Sequence, residues 1–344
     1  MRPLLHPTLL NGRFGDPVLC LETLFEKQIM LCDLGTVDVL SSREIQRIEH
    51  VFVSHAHIDH FIGFDRILRI LVGREKQVHL YGPPDFADRV RHKLSGYQWN
   101  LAASYLCDLA FIVTEIHPSF ATRTVSFRLK NGFAPEEIGC GFAAGGLILN
   151  GASFRVHGAV LDHRTPCLAF AITEVAHVNI WKTELAKLGL PIGPWLHDLK
   201  RAVLGGAPDD LKIQIEAPEL ANGSREIELG ALRNVYRVTP GQKIGYVTDI
   251  ADTADNRRSV VRLVDRADIL FIEAPFIGAD RTLAAERAHL TTVAAGEIAG
   301  AAKVRHVEPF HFSPRYAGQE QRMLAEVAEA FAGTCRPETG HTYA

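Results

Sequence analysis

The sequence contains no C-x-x-C pair and only 6 cysteines, Cys20, Cys32, Cys107, Cys140, Cys167 and Cys335, scattered over 344 residues. That excludes a structural zinc clipped by paired thiols and the disulfide framework of small secreted domains, and it fits reduced thiols in a cytosol. No apolar run approaches the roughly 20 residues a membrane span needs, and the start, Met1 to Pro17, has no basic segment leading into an apolar one. Neither a membrane anchor nor an export signal is expected, and the chain reads as cytoplasmic. Strong charge of either sign is missing too: 37 Lys+Arg against 40 Asp+Glu leave a formal net charge of -3. Any nucleic-acid surface therefore has to be a local basic patch. What the chain has in quantity is apolar side chain, 47% of residues, enough to bury a sizeable core, and histidine, with 16 residues unevenly placed.

Alternating apolar and helical patterns suggest an α/β chain. Val18 to Thr23 and Gln28 to Cys32, separated by Glu26-Lys27, form a hairpin pattern, and His50 to Val53 a strand that runs straight into Ser54-His55-Ala56-His57-Ile58-Asp59-His60. Phe61, Phe64, Leu68 and Leu71 then fall at helical spacing, which puts the histidine run on a loop between strand and helix. Val78 to Tyr81 reads as a strand, with Asp85 as cap of a basic helix through Lys93. Residues 118–152 read as hairpins and loops. Thr183 to Leu188 is helical until Gly189 to Pro194 breaks it, and Lys243 to Asp249 and Asp268 to Glu273 are strands ending in acids. No repeat divides the chain, so one domain over 1–344 is expected.

A dense run of His55, His57, Asp59 and His60 after an apolar strand is what two close divalent cations require, because imidazole and carboxylate are first-row metal ligands and a short loop aims them convergently. The loop alone leaves each ion short of partners, so further ligands are expected at strand ends. His163, Asp249 and His311 meet that demand, although each taken singly could equally cap a turn. Asp33 could support a ligand by accepting an imidazole N–H or could merely make its turn. The remaining histidines, among them His50, His79 and His341, have no ligand-like spacing and read as surface or packing residues.

With these residues in view, the chain resembles the metallo-β-lactamase superfamily, and within it the ribonuclease Z branch that trims the 3′ ends of tRNA precursors. Ser54 to His60 is similar to the branch's histidine motif, Leu161-Asp162-His163 to its third-histidine motif, and Val247-Thr248-Asp249 to its bridging-aspartate strand. Phe271 to Phe276, Ala288-His289-Leu290-Thr291-Thr292 and His311 to Tyr316 are similar to the three motifs that follow. Leu188 to Pro194 resembles the Gly-Pro segment of the arm that the branch uses to grip tRNA.

The resemblance implies an αββα sandwich with a small arm over 178–206. It implies two divalent ions, zinc first and manganese or iron as alternatives: one at His55, His57 and His163, the other at Asp59, His60 and His311, with Asp249 between them. His289 beside Glu273 would protonate the leaving oxygen, unless it caps the following helix, and Asp59 could assist proton transfer. Gly193, Pro194, Lys200, Arg201 and Arg315 would touch substrate. The branch often forms homodimers. Four departures stand out: Pro7 to Pro17 replaces a Gly-rich loop with a basic continuation, Ile250 replaces a hydroxyl residue, Pro275 replaces a Thr, and extra residues between Pro118 and Ala152 suggest a remodelled site rim. The expected activity is thus phosphodiester hydrolysis on RNA, with a small phosphodiester or other ester as the alternative substrate, and a non-catalytic RNA-binding metalloprotein as the third reading.

Overall fold

The computed structural model describes residues 4–24, 27–216 and 223–334; Glu26, Cys335 and His341 fall outside that set. The described residues divide into two compact units, one of residues up to 173 and from 242 onward, the other of 174–241.

In the first unit an 8-stranded sheet forms in chain order. Its strands are β1 (Leu5–Leu9), β2 (Leu19–Thr23), β3 (Ile29–Cys32), β4 (Ile48–Phe52), β5 (Lys76–Gly82), β6 (Leu109–Ile116), β7 (Ala121–Arg128) and β8 (Pro135–Phe142). The helices between them are α1 (Ser42–Ile45), α2 (Ile58–Phe61), α3 (Phe64–Leu71) and α4 (Phe86–Ser95). A second sheet starts with β9 (Leu147–Asn150), β10 (Phe154–Asp162) and β11 (Pro166–Glu174).

The second unit contains β12 (His177–Ile180), α5 (Lys182–Lys187), α6 (Trp195–Leu204), β13 (Lys212–Glu216), β14 (Ser224–Glu228) and β15 (Tyr236–Thr239). It closes a core of its own around Leu185, Trp195, Leu199, Ile213, Leu232 and Val235. The segment 178–206 expected as an arm lies inside this larger unit.

The chain returns to the second sheet with β16 (Lys243–Val247), then α7 (Ala254–Val264), β17 (Ile269–Glu273), α8 (Arg281–Arg287), α9 (Thr292–Ala301), β18 (His306–Phe310) and α10 (Glu320–Thr334). The sheet order is β18-β17-β16-β11-β10-β9, with β16, β17 and β18 parallel. Alternation along the strands puts Phe52, Tyr81, Phe170, Tyr246 and Phe310 between the two sheets. Val51, Val53, Val78 and Leu80 face Phe64, Leu68 and Phe86 of α3 and α4 on one outer side. Val247, Leu270 and Ile272 face Val260, Ile298 and Val327 of α7, α9 and α10 on the other. The first unit is an αββα sandwich. No helix among the described residues is long and apolar enough to cross a membrane.

Two local expectations are corrected. The helix after the histidine run is not continuous, and Asp59 and His60 lie within the short α2 rather than on a loop. Gly63 lies between α2 and α3: its N–H donates to the Leu34 carbonyl over 2.8 Å, and a Cβ there would come within 2.2 Å of the Gly35 carbonyl oxygen. The break lets the chain press against the turn after β3. Asp85 does stand at the start of α4, but its side chain makes no capping bond and its φ is 68°.

Candidate metal centre

The ends of several strands converge at one edge of the sandwich. Asp33 follows β3, Ser54 and His55 follow β4, His163 follows β10, Asp249 follows β16, and His311 follows β18. Three of these, Asp33, Asp249 and His311, have φ values of 62°, 43° and 58°, a left-handed conformation that costs free energy for residues with a Cβ and is held by the surrounding packing.

The imidazoles are oriented from behind. His163 Nδ1 is 2.8 Å from the Ala288 carbonyl. A carbonyl only accepts, so Nδ1 carries the hydrogen and Nε2 keeps its lone pair. His60 Nδ1 is 2.8 Å from Oδ2 of Asp33, and His55 Nδ1 is 3.1 Å from the Ser54 hydroxyl, which itself donates to Asp33 Oδ2 over 2.9 Å. The three Nε2 atoms, of His55, His60 and His163, then lie 3.6, 3.5 and 3.6 Å from Oδ2 of Asp249.

Ligand atoms group as a metal site would require. His55, His57, His163 and Asp249 offer four within 4.8 Å of one another, and Asp59, His60 and His311 offer three. The Nε2 atoms of His55 and His60 are buried without a hydrogen-bond partner, an arrangement that costs about 1–3 kcal/mol per group unless something accepts the lone pair. A divalent first-row cation is the partner that borderline imidazole nitrogens and hard carboxylate oxygens share, so the residues present fit such a group. His55 is pushed down to about 2, by burial and then by His60. Burial alone would raise Asp59 and Asp249, but the imidazoles of His60 and His311 outweigh it and hold both carboxyls well below their usual range. Burial alone would lower His60 and His311, but Asp249 and the neighbouring carboxylates outweigh it and hold both rings well above their ordinary value, so a cation that takes these nitrogens displaces their protons.

Asp33 proves to be both a turn residue and a support. Its carboxylate accepts the Ser54 N–H at 2.6 Å, His60 Nδ1, the Ser54 hydroxyl and the Tyr246 hydroxyl. The role of Tyr246 was not read from the sequence; its place on the inward face of β16 is the signal that marks it.

His289 sits 2.7 Å from Oε2 of Glu273 and does not cap α9, where the Thr291 side chain accepts the Ala294 N–H. Oε1 of Glu273 accepts the N–H groups of Ile250 and Leu290, so the carboxylate is fixed before it meets the imidazole. Burial lowers His289, but Glu273 outweighs it and holds the ring above its ordinary value.

A cavity of about 460 Å³ opens over these groups, lined by His57, Asp59, Asp249, His289 and His311. Its rim includes Arg315, expected from the sequence, and Arg287, Phe14, Asp16, Pro275 and Phe276, which were not assigned to substrate. Arg287 ends α8 two residues before His289, close enough in sequence to have been noticed. Neither Arg287 nor Arg315 pairs with a carboxylate among the described residues. Gly193, Pro194, Lys200 and Arg201 belong to the second unit, where Pro194 precedes α6 and the two cations are exposed on it.

The β-lactamase superfamily domain family matches residues 35–207. Ribonuclease Z of Deinococcus radiodurans is 30% identical over 311 residues, covering 89% of each chain. Ribonuclease Z of Crocosphaera subtropica is 29% identical over 321 residues, 91% of this chain and 86% of that one. Among solved structures, human tRNase Z, short form, superposes with a TM-score of 0.51 at 17% identity, covering 88% of this chain and 92% of its own. The metallo-β-lactamase fold protein YhfI of Bacillus subtilis gives 0.53 at 14% identity, covering 95% and 94%.

Proposed function

Since this chain belongs to the ribonuclease Z family of the β-lactamase superfamily, we propose that it is a cytoplasmic endoribonuclease that cuts tRNA precursors near their 3′ ends at a centre holding two zinc ions. The observation that carries the reading is the convergence of His55, His57, His163, Asp59, His60 and His311 around Asp249, with the His289–Glu273 pair opening on the same cavity. We take His55, His57 and His163 to hold one ion, Asp59, His60 and His311 the other, and Asp249 to touch both. When bound, the ions supply Lewis-acid polarisation of a phosphoryl oxygen and lower the pKa of water towards about 7.

The protein's own groups do the rest. Arg287 and Arg315 bind phosphate oxygens on the rim and orient the scissile bond. His289, kept charged by Glu273, gives its proton to the leaving oxygen as the phosphorus–oxygen bond breaks. Asp59 accepts a hydrogen bond from the attacking water and relays the proton it releases to solvent. In the second unit, Gly193, Pro194, Lys200 and Arg201 hold RNA away from the cut as a family-type arm over 178–206, and the enzyme works as a homodimer.

A second reading keeps the centre and assigns a small phosphodiester. It is favoured by the loop with Phe14 and Asp16 on the rim, which adds an aromatic ring and an acid where a polyanion has to approach. One experiment separates the two: quantify metals per protomer, then assay bis(p-nitrophenyl) phosphate and a 3′-extended tRNA precursor with the wild-type chain and His57→Ala. Two metals with tRNA cleavage lost in the variant support the first reading. Turnover of the small diester alone supports the second, and neither metal nor turnover sinks both.

A further inference from the structure

A second cavity, of about 690 Å³, is lined by residues of β10, β11, β16 and α7, at the end of these strands away from the histidine cluster. Strand polarity fixes that placement. His157 lies in β10 six positions before His163, and Lys243 opens β16 six positions before Asp249. At about 3.3 Å per residue His157 and Lys243 lie roughly 20 Å along their strands from His163 and Asp249, although Val160, also in the lining, is three positions from His163. Thr173, paired with Lys243 in the antiparallel ladder, joins them at the same end.

Two cationic side chains and an imidazole gather in this cavity without acids. Lys243, His157 and Arg262 line it, and none of its lining residues is Asp or Glu, although the chain as a whole carries a net negative charge. Lys243 spends one N–H on the Asp265 carbonyl at 2.9 Å, while Arg262, exposed on α7, has no carboxylate partner among the described residues. Burial lowers Lys243, and burial followed by the charges of Lys243 and Arg155 lowers His157. The Asp265 charge acts on Lys243 from outside the lining, but no carboxylate lines the cavity, and Lys243 with Arg262 favours an anion between them. The hydroxyls of Thr173 and Ser259 stand beside the cations, and the ring of Phe120 offers an apolar surface. The cavity volume falls within the range of small-molecule sites, about 300–1,000 Å³.

We propose that this cavity binds a small phosphate ester with a flat aromatic body, of the nucleoside monophosphate class. Lys243 and Arg262 take the phosphate as charge-assisted donors, and Phe120 takes the ring by stacking. The site is separate from the metal centre, and its occupancy does not depend on the substrate assigned there.

The test is calorimetric titration of the full chain with adenosine 5′-monophosphate, adenosine and inorganic phosphate in parallel. The monophosphate is expected to bind more tightly than either fragment. Arg262→Gln, an exposed substitution that leaves the fold and the hydrolysis of bis(p-nitrophenyl) phosphate unchanged, should weaken it by roughly tenfold, and Lys243→Gln by at least as much. Phe120→Ala should weaken the monophosphate and leave phosphate untouched. Monophosphate binding that ignores Arg262→Gln, or that is no tighter than phosphate, overturns the proposal, as does the absence of saturable binding.

Discussion

The hydroxyl of Tyr246 donates to Oδ2 of Asp33 over 2.7 Å, with both side chains buried. The bond crosses from β16 in the second sheet to the turn after β3 in the first. Asp33 passes that constraint on, because the same oxygen faces His60 Nδ1 at 2.8 Å and the Ser54 hydroxyl, which in turn meets His55 Nδ1. Two histidines of the centre are thus oriented by one carboxylate that the inter-sheet core holds still.

Weakening that support should loosen metal binding before it harms the fold. Tyr246→Phe removes one donor and keeps the ring among Phe170 and Phe310; Asp33→Asn removes the charge and leaves one acceptor oxygen where four groups now use two. Metal affinity is expected to fall by about 10–100-fold in Asp33→Asn and by less in Tyr246→Phe. Competition against a chromophoric chelator reads this directly. Unchanged affinity in both variants would mean that Asp33 serves only its turn.

His289 and Glu273 should act as one unit. His289→Ala is expected to lower kcat by about 10²–10⁴-fold with metal content unchanged. Glu273→Gln should lower it too, since an amide no longer favours the charged imidazole, and the double variant should be little worse than His289→Ala alone. Additive losses would separate the two residues.

Much of this centre was legible because its residue types are rare and its spacing is short: His55, His57, Asp59 and His60 announce themselves within six residues. His163, Asp249 and His311 were legible only as polar residues at strand ends, and the left-handed backbone that turns Asp249 and His311 inward has no sequence marker when the residue is not glycine. The break between α2 and α3 was missed because apolar periodicity runs through it; Gly63 is demanded by the approach of Gly35, a contact distant in sequence. Tyr246 was hidden for the same reason, as its partner lies across the sandwich. The extent of the second unit had no signal because 207–241 carries no motif; its described part is short strands and a 3-10 turn, Leu229–Val235, around a small core.

Stability should depend on His50. Its ring stacks on His79 at 5.3 Å, next to Tyr81 and Phe154, and burial, then His79 and Lys76, push it down to about 4 from an ordinary 6.5. The folded value lies below the unfolded one, so between pH 6.5 and 4 the unfolded chain binds the extra proton. Stability is therefore intact above about pH 6.5 and falls as pH drops through that window. His50→Phe should remove part of the slope, sparing about 1 kcal/mol at pH 5 after allowance for the ring's partial exposure. Urea denaturation of both chains at pH 7 and pH 5 measures the difference; parallel pH profiles would contradict it.

The two rim arginines decide between a long and a short substrate. Arg287 and Arg315 line the cavity with the histidines and lack carboxylate partners among the described residues, so their charge is available to a phosphate. If the substrate is RNA, further contacts lie along the strand, and the logarithm of kcat/KM should fall steeply with the logarithm of salt concentration. Each phosphate contact removed then lowers that slope by about 1. Arg287→Ala and Arg315→Ala should each flatten the salt dependence by that amount on a tRNA precursor while raising KM more than they lower kcat. With a small diester the slope is shallow from the start, and the same substitutions should cost a constant factor at every salt concentration. A steep slope unaffected by either substitution would place the phosphate contacts elsewhere on the protein and remove both arginines from the substrate path.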